Sequence, residues 1–295
     1  MSDLSLYSAD VAQARHKLPW FRWFLYVFLS ALIVYFLWIC SQNPNFEWAV
    51  VGEYFTHQSI LHGIKMTLQL TLISMLLGIV LGLICALAKL SDSRFFNALA
   101  NSYLWFFRST PLLVQLLFWY NLAALFPNIT LPIMGTVSTN EVITPMTAAI
   151  LGLSLNEGAF MGEIIRAGLL SVDTNQKETA QAFGMSQIQI MFRILIPQAM
   201  KAIIPPTGNQ VISMVKATAM VSIIAMDDLL YSVQAIYNTT FQIIPLLIVA
   251  VLWYLIITSI LSVLQWALER HFRKDQLSNT KRVDTQISEL GLSNE

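Results

Sequence analysis

The chain has 295 residues, of which 56% are hydrophobic and 12% charged, and its formal net charge is zero. Soluble domains typically carry about 25% charged residues, so this composition excludes an ordinary soluble protein and indicates an all-α membrane protein with several spans. The zero net charge argues against nucleic-acid binding, for which a basic face is expected. The two cysteines, Cys40 and Cys85, lie in apolar runs and are interpreted as small hydrophobic residues, not as a disulfide or a metal site.

Six apolar runs are long enough, at about 20 residues, to cross the hydrocarbon core of a membrane. Trp and Tyr residues lie near their edges, as expected of anchors at the membrane interface. The start of the third run is left open between Ala98 and Thr110. The first run is predicted to be an uncleaved span, because it is longer than the apolar part of a signal peptide and lacks small residues at a cleavage site. The predicted spans are residues 20–40, 67–88, 110–126, 145–167, 203–224 and 243–266.

The second predicted span carries a stripe of small residues along one face. Such a stripe allows two helix backbones to approach closely, and it is interpreted as a packing surface in preference to a substrate contact. The residues of the stripe are Thr67, Thr71, Ser74, Gly78 and Gly82.

The distribution of Lys and Arg predicts the orientation of the chain. In a six-span arrangement the loops 41–62, 127–144 and 227–242 share one side and contain acidic residues but no Lys or Arg. Lys65, at the mouth of the second span, is an exception. By the positive-inside rule both termini are cytoplasmic, and so is the loop around residues 178–197. The cations on that side are Arg15, Lys17, Arg22, Lys89, Arg94, Arg166, Lys177, Arg193, Lys201, Arg270, Arg273 and Lys274.

Several polar residues fall inside predicted spans, where charges are costly and usually lie against a cavity or a partner. Lys216 shares one helical face with Asn209 and Ser213, at a spacing of four and then three residues. One interpretation is that the charges neutralise each other between helices, as Glu163 and Arg166 could; the other is a polar pocket on a translocation path. The candidate path residues are Arg108, Glu157, Glu163, Asn209, Ser213 and Lys216.

The run RSTPLLVQ, from Arg108 to Gln115, is predicted to begin the third span, with Ser109 or Thr110 as N-cap and Pro111 in the first turn. A helix N-terminus beside an arginine attracts carboxylates. The alternative is that Arg108 extends to the cytoplasmic headgroups. Both interpretations stay open.

The loop at residues 178–197 has the pattern of two short amphipathic helices separated by a bend at Gly184. Asp173 or Thr174 is a suitable N-cap, and Pro197 is predicted to begin the next helix. The loop lacks the Lys/Arg-rich face of helices that lie on lipid, so docking into a groove of a soluble protein is preferred. Its apolar positions at helical spacing are Ala182, Met185, Ile188 and Phe192.

This loop resembles the EAA motif of ABC importer permeases, in which E-A-A is followed after three residues by G and after nine more by I-x-L-P. Glu178, Ala180, Gly184, Ile194 and Pro197 match it at the family spacing. The resemblance implies that residues of about 173–197 form the coupling helices, which seat in a cleft of the ATPase subunit. The coupling positions that it implies are Glu178, Ala180, Ala182, Gly184, Met185, Ile188 and Pro197.

Other segments are similar to the permeases for polar amino acids, of the histidine, glutamine and arginine type. RSTPLLVQL, from Arg108, matches their RGTPLLVQ signature except at Ser109, and residues 158–184 match the segment that leads into their EAA motif. The resemblance covers residues of about 60–268. The chain departs from the family at residues 216–220, where KATAM replaces K-D-T-S-L, so its substrate could differ from the familiar ones.

The resemblance implies a type I ABC importer permease with about six transmembrane helices, in a bacterial inner membrane. Residues 1–59 would hold the cytoplasmic N-terminus, an extra first span and a periplasmic loop. Residues 60–268 would form the five-helix transmembrane domain, and 269–295 a disordered cytoplasmic tail. The expected partners are two ATP-binding ABC subunits, a second permease chain, an extracytoplasmic substrate-binding protein and membrane lipid.

The sequence contains no G-x-x-x-x-G-K-[ST] phosphate loop, so ATP and Mg are expected on the partner ATPase and no cofactor on this chain. An ion-coupled secondary transporter is one alternative, but it leaves the cytoplasmic helix pair without a role. A membrane-embedded enzyme is another, but the four His residues are scattered and form no constellation with a nucleophile, a base or a metal.

Overall fold

The computed structural model of the protein describes residues 19–131 and 135–289. The predicted cytoplasmic N-terminus, with Arg15 and Lys17, lies outside the described residues. The helices and strands are α1 Pro19–Gln42, α2 Trp48–Phe55, α3 Gln58–Leu90, α4 Arg94–Ser109, α5 Leu112–Tyr120, α6 Leu122–Leu125, β1 Asn128–Leu131, β2 Gly135–Ser138, α7 Thr139–Val142, α8 Pro145–Leu170, α9 Thr174–Ala182, α10 Gln187–Ile190, α11 Ile196–Ala217, α12 Leu229–Thr240 and α13 Ile243–Glu289. The two strands pair antiparallel, with Asn128 opposite Ser138.

Five helices in the described part of the chain are long and apolar enough to cross a membrane. They begin at Arg22, Gln58, Pro145, Gln187 and Ile243, and they correspond to the predicted spans one, two, four, five and six.

The third predicted span, residues 110–126, contains the short helices α5 and α6, and α4 ends directly before it. Thr110 is extended (φ −103°, ψ 140°) and ends α4, and Pro111 occupies the N-cap position of α5, so the predicted caps Ser109 and Thr110 are wrong. The break follows from proline, which has no N–H and disfavours helical geometry at the preceding residue. Gln115 stabilises the break, because its Nε2 donates to the Thr110 carbonyl at 3.1 Å and to the Thr110 Oγ1 at 2.8 Å.

The centre of the fold is the pair α3 and α8, which run side by side in the same direction. A Cβ added to Gly78 would lie 2.7 Å from Glu157 Cγ, and one added to Gly82 would lie 2.6 Å from Met161 Cβ. Every residue of the small stripe on α3 is buried. The interpretation of this stripe as a packing surface is therefore confirmed.

The first and last helices of the described chain, α1 and α13, extend beyond the packed core. No side chain in the apolar window of α1 is buried, and Trp48 Nε1 donates to the Cys40 carbonyl near its end at 3.1 Å. At the other end, α13 continues as a helix to Glu289, where the sequence predicts a disordered tail from residue 269. Residues 269–289 contain neither Gly nor Pro, so nothing in this segment interrupts the helix that begins at Ile243.

Candidate functional site

The loop after α8 forms two short helices with a bend, as the sequence predicts. Asp173 caps α9, because its Oδ1 accepts the Asn175 N–H at 2.9 Å. Gly184 makes the bend with a φ of +77°, which other residues rarely adopt. Ser186 then caps α10 reciprocally with Gln189.

This loop exposes three large apolar side chains at its surface. Phe183 is 83% exposed, Ile188 72% and Phe192 68%. Ala180 and Ile190, in contrast, are buried. Neighbouring exposed apolar side chains mark a surface for association with another protein. Sequence reasoning missed Phe183, although its position directly before the glycine bend is a usable signal.

The sequence predicts that Pro197 begins a new helix, but the structure places it within a continuous helical segment. α10 leads through a π-helical turn, Met191–Leu195, directly into α11. Pro197 cannot donate to the carbonyl four residues before it, and its ring would clash with that carbonyl in an α-helix. A π turn relieves this conflict without breaking the helix.

The candidate path residues on α11 form an exposed stripe. Asn209, Ser213 and Lys216 are all exposed along one side of this helix. Gln265 Nε2 donates to Asn209 Oδ1 at 2.9 Å. Among the side chains that the structure describes, no carboxylate lies within 4.0 Å of the Lys216 ammonium. The free energy of such a polar and charged stripe on a membrane-spanning helix is much higher in contact with lipid than in contact with water or protein.

Glu163 and Arg108 lie together elsewhere, in an ion cluster. Lys89 Nζ lies 2.7 Å from Glu163 Oε1, and Arg166 Nε lies 2.9 Å from Oε2. Arg108 Nη1 is farther away, 3.8 Å from Oε1. The pairing of Glu163 with Arg166, which the sequence left open, is therefore present. Sequence reasoning missed Lys89 as a partner of Glu163, although both lie near the same ends of parallel helices.

Glu157 occupies a third place, between α3 and α8. Its side chain is only 5% exposed, and its Oε1 has no hydrogen-bond partner among the described residues. The hydroxyl oxygens of Ser74 and Ser154 on the same two helices are also buried and unpartnered there. The six candidate path residues thus occupy three separate places in the single chain, and Lys216 does not meet either glutamate.

A buried carboxyl group that sequence reasoning did not single out lies beside α12. Asp228 caps this helix, because its Oδ1 accepts the Tyr231 N–H at 2.8 Å, and its Oδ2 accepts the Tyr254 hydroxyl at 3.2 Å. Asp228 is 0% exposed. Burial outweighs these hydrogen bonds and raises the pKa of the Asp228 carboxyl from 3.8 to about 6.

The chain is similar to known proteins over most of its length. Residues 78–274 match the family model described as the binding-protein-dependent transport system inner membrane component. An arginine transport system permease protein of Corynebacterium glutamicum is 40% identical, over 86% of this chain and 80% of that protein. An L-cystine transport system permease protein of Bacillus subtilis is 37% identical, over 70% of this chain and 84% of the relative.

Solved structures agree with these relatives. An amino acid ABC transporter chain is 36% identical and superposes with a TM-score of 0.62, covering 72% of this chain and 94% of its own length. The MetNI methionine ABC transporter, in an inward-facing conformation, is 18% identical with a TM-score of 0.61, over 73% of this chain and 97% of that chain. At that identity the second likeness concerns the fold alone.

Proposed function

The chain belongs to the family of binding-protein-dependent transport system inner membrane components, and on that premise we propose that it imports polar amino acids or their close derivatives. It is a multi-pass membrane protein and an ABC importer permease, so the expected resemblance is confirmed. The substrate class is supported by the relatives, which include permeases for arginine, cystine and nopaline. An ion-coupled secondary transporter and a membrane-embedded enzyme are not favoured.

The proposed motor is a separate ATP-binding subunit that docks on the loop with α9 and α10. The observation that carries this proposal is the exposure of Phe183, Ile188 and Phe192 beside the EAA-motif residues Glu178 and Gly184. An apolar helical segment of this kind is suited to a groove on a soluble partner. Because the sequence has no phosphate loop, ATP and Mg bind to that partner, and two such subunits would serve two permease chains.

The proposed substrate path runs along the stripe Asn209, Ser213 and Lys216 on α11. The stripe is exposed in the single chain, so a second permease chain, identical or related, would close the path from the other side. Lys216 would attract the carboxylate of the substrate. The other candidate path residues lie apart from the stripe and are not proposed to contact the substrate; they are Glu157, Glu163 and Arg108.

The proposed orientation places both termini and the α9–α10 loop in the cytoplasm, following the positive-inside rule. The opposite loops, with Glu47, Glu53 and Glu141, would then lie outside and receive substrate from an extracytoplasmic binding protein. ATP-driven motion of the docked loop would rock the spans between inward and outward access.

The proposal is tested by two matched glycine substitutions. Gly184 and Gly135 have similar positive φ angles, +77° and +73°, and a Cβ at either position meets no atom within 4 Å. Either substitution by Ala therefore imposes the same backbone strain, about 1–2 kcal/mol. We expect Gly184→Ala to lower ATP-driven uptake and co-purification of the ATPase severalfold, and Gly135→Ala to leave both near the wild-type level.

The measurement uses the complete transporter in proteoliposomes, with uptake of labelled arginine, glutamine and cystine and with ATP hydrolysis. Equal losses in both variants would show that strain alone causes the effect and would remove the coupling role of this bend. Uptake that follows an imposed ion gradient without ATP or an ATPase subunit would overturn the proposal in favour of a secondary transporter.

A further inference from the structure

An ion cluster at a cleft between α3, α4 and α8 carries more positive charge than its single carboxylate can balance. Lys89, Arg108 and Arg166 converge on Glu163, at 2.7, 3.8 and 2.9 Å. Of the carboxylates whose side chains the structure describes, only Glu163 lies within 4.0 Å of these cations. Three cations and one carboxylate leave a formal charge of +2 in this place.

Arg108 is the cation of this cluster that makes no hydrogen bond to Glu163. Lys89 and Arg166 each hold one oxygen of Glu163, whereas the 3.8 Å separation of Arg108 from Oε1 exceeds hydrogen-bond distance. The guanidinium carbon of Arg108 lies 5.7 Å from the centre of the Phe160 ring, which keeps the side chain over the cleft. The side chain is 45% exposed, so its donors are accessible to a ligand. A guanidinium presents a planar fork of donors that suits a phosphate group.

The cleft has the size and the lining of a binding site. Its volume is about 480 Å³, within the range of about 300–1,000 Å³ that is usual for small-molecule sites. Asn101 and Ser109 add neutral donors beside Lys89 and Arg108, and Trp105 and Phe160 form an apolar border. An anionic group with attached hydrocarbon fits this combination.

The position of the cleft indicates that such an anionic molecule with attached hydrocarbon comes from the membrane. Lys89 is the second-last residue of α3, and Glu163 lies seven residues, or about 10 Å, before the end of α8. Lys89 directly follows the predicted span that ends at residue 88, so these helix ends would lie at the headgroup level, on the side of the α9–α10 loop. Next to the cleft, Trp105 is 71% exposed and Phe106 48% exposed, and they form an apolar surface suited to acyl chains.

The geometry points to a site for the phosphate of an anionic phospholipid, held by Arg108 with Lys89 and with the acyl chains along α4. Cationic pockets between helices at the cytoplasmic surface are a recurring way of holding such headgroups. The site goes beyond the transport function proposed above, because it takes its ligand from the membrane and is separate from the α11 stripe.

The test compares lipid binding to the full-length chain in neutral detergent, measured by native mass spectrometry. Phosphatidylglycerol and phosphatidylcholine with the same acyl chains are titrated against wild type, Arg108→Gln, Arg108→Lys and Arg94→Gln. Arg94 is the matched control, since it is an exposed arginine at the start of α4 and does not line the cleft. We expect wild type to prefer phosphatidylglycerol, and Arg108→Gln to weaken its binding about fivefold.

Arg94→Gln is expected to keep the wild-type affinity, and Arg108→Lys to bind more tightly than Arg108→Gln but less tightly than wild type, since it keeps the charge without the planar fork. Equal binding of the two lipids by wild type, or equal losses in Arg108→Gln and Arg94→Gln, would overturn the proposal. Inorganic phosphate and free arginine are added at millimolar concentration as competitors. Displacement of phosphatidylglycerol by phosphate alone would assign the cleft to a soluble anion, and displacement by arginine would assign it to the transported substrate; retention against both supports the lipid.

Discussion

The protonation state of Asp228 affects the stability of the fold. Its carboxyl is buried, and its pKa rises from 3.8 to about 6 because burial disfavours the charged form. Between about pH 4 and pH 6 the folded protein therefore holds a proton that the unfolded chain has released. The free energy of unfolding falls as the pH rises through this window, by at most about 3 kcal/mol, and changes little from this source above pH 7.

We expect Asp228→Asn to remove this dependence. The amide oxygen of Asn can still cap α12, so the substitution keeps the helix start and eliminates the buried charge. The measurement is the thermal unfolding midpoint of the purified protein from pH 5 to pH 7.5. The midpoint of the variant should rise relative to that of wild type as the pH rises. Asp227→Asn is the control, since Asp227 is exposed. A variant whose midpoint follows wild type in parallel at every pH would contradict this account.

The residues of the candidate site show what sequence can and cannot predict at this scale. The pairing of Glu163 with Arg166 was one of the predicted alternatives, because residues three apart on a helix are neighbours. Lys89 lies 74 positions away from Glu163 in the sequence, so only the packing of α3 on α8 brings the two together. The stripe on α11 was predictable in the same local way, but the separation of Lys216 from both glutamates depends on tertiary packing.

At the scale of elements, periodicity and hydropathy predict most of the helices, but not where each one breaks or what it packs against. The composition left the start of the third span open between Ala98 and Thr110, and the backbone preference at Thr110 decides for the later start. The bend at Gly184 was predictable because glycine adopts a positive φ without steric cost. The absence of buried side chains in the apolar window of α1 has no local signal, since an apolar helix can lie against protein or against lipid.

The packing of α3 on α8 is tested by two substitutions of helical glycines. A Cβ at Gly78 would come within 2.7 Å of Glu157 Cγ and 2.9 Å of its Cβ, so Gly78→Ala forces the two helices apart. We expect it to destabilise the protein by about 1–3 kcal/mol. Gly52, in α2, has no atom within 4 Å of an added Cβ, so Gly52→Ala should be neutral or stabilising by up to about 1 kcal/mol.

Thermal or denaturant unfolding of the two variants in the same detergent provides the comparison. The distances from an added Cβ at Gly78 to Glu157 leave no room for a methyl group unless the backbone moves. If Gly78→Ala proved as stable as Gly52→Ala, α3 and α8 would pack more loosely than the structure shows.

At the scale of the whole molecule, the single chain exposes two kinds of surface. The polar stripe of α11 is exposed, while the apolar surfaces of α1 and α13 are exposed as well, and the two kinds of surface need different neighbours. Lipid can cover the apolar helices, but it would leave Asn209, Ser213 and Lys216 unsolvated at a high cost. The proposed second permease chain would resolve this conflict by enclosing water against the stripe.

This arrangement predicts that a thiol on the stripe reacts with a water-soluble, membrane-impermeant reagent in the assembled transporter. Ser213→Cys is compared with Leu255→Cys, a residue that is 59% exposed on the spanning helix α13, in a chain whose Cys40 and Cys85 have been replaced by Ser. Because the reactive thiolate forms in water and not in hydrocarbon, we expect Ser213→Cys to react at least about tenfold faster. Addition of ATP should change the rate at Ser213→Cys alone, since alternating access moves the path between the two sides of the membrane. Equal, slow rates at both positions would place the stripe against lipid or in a dry protein interface, and the path would then have to be sought along another helix.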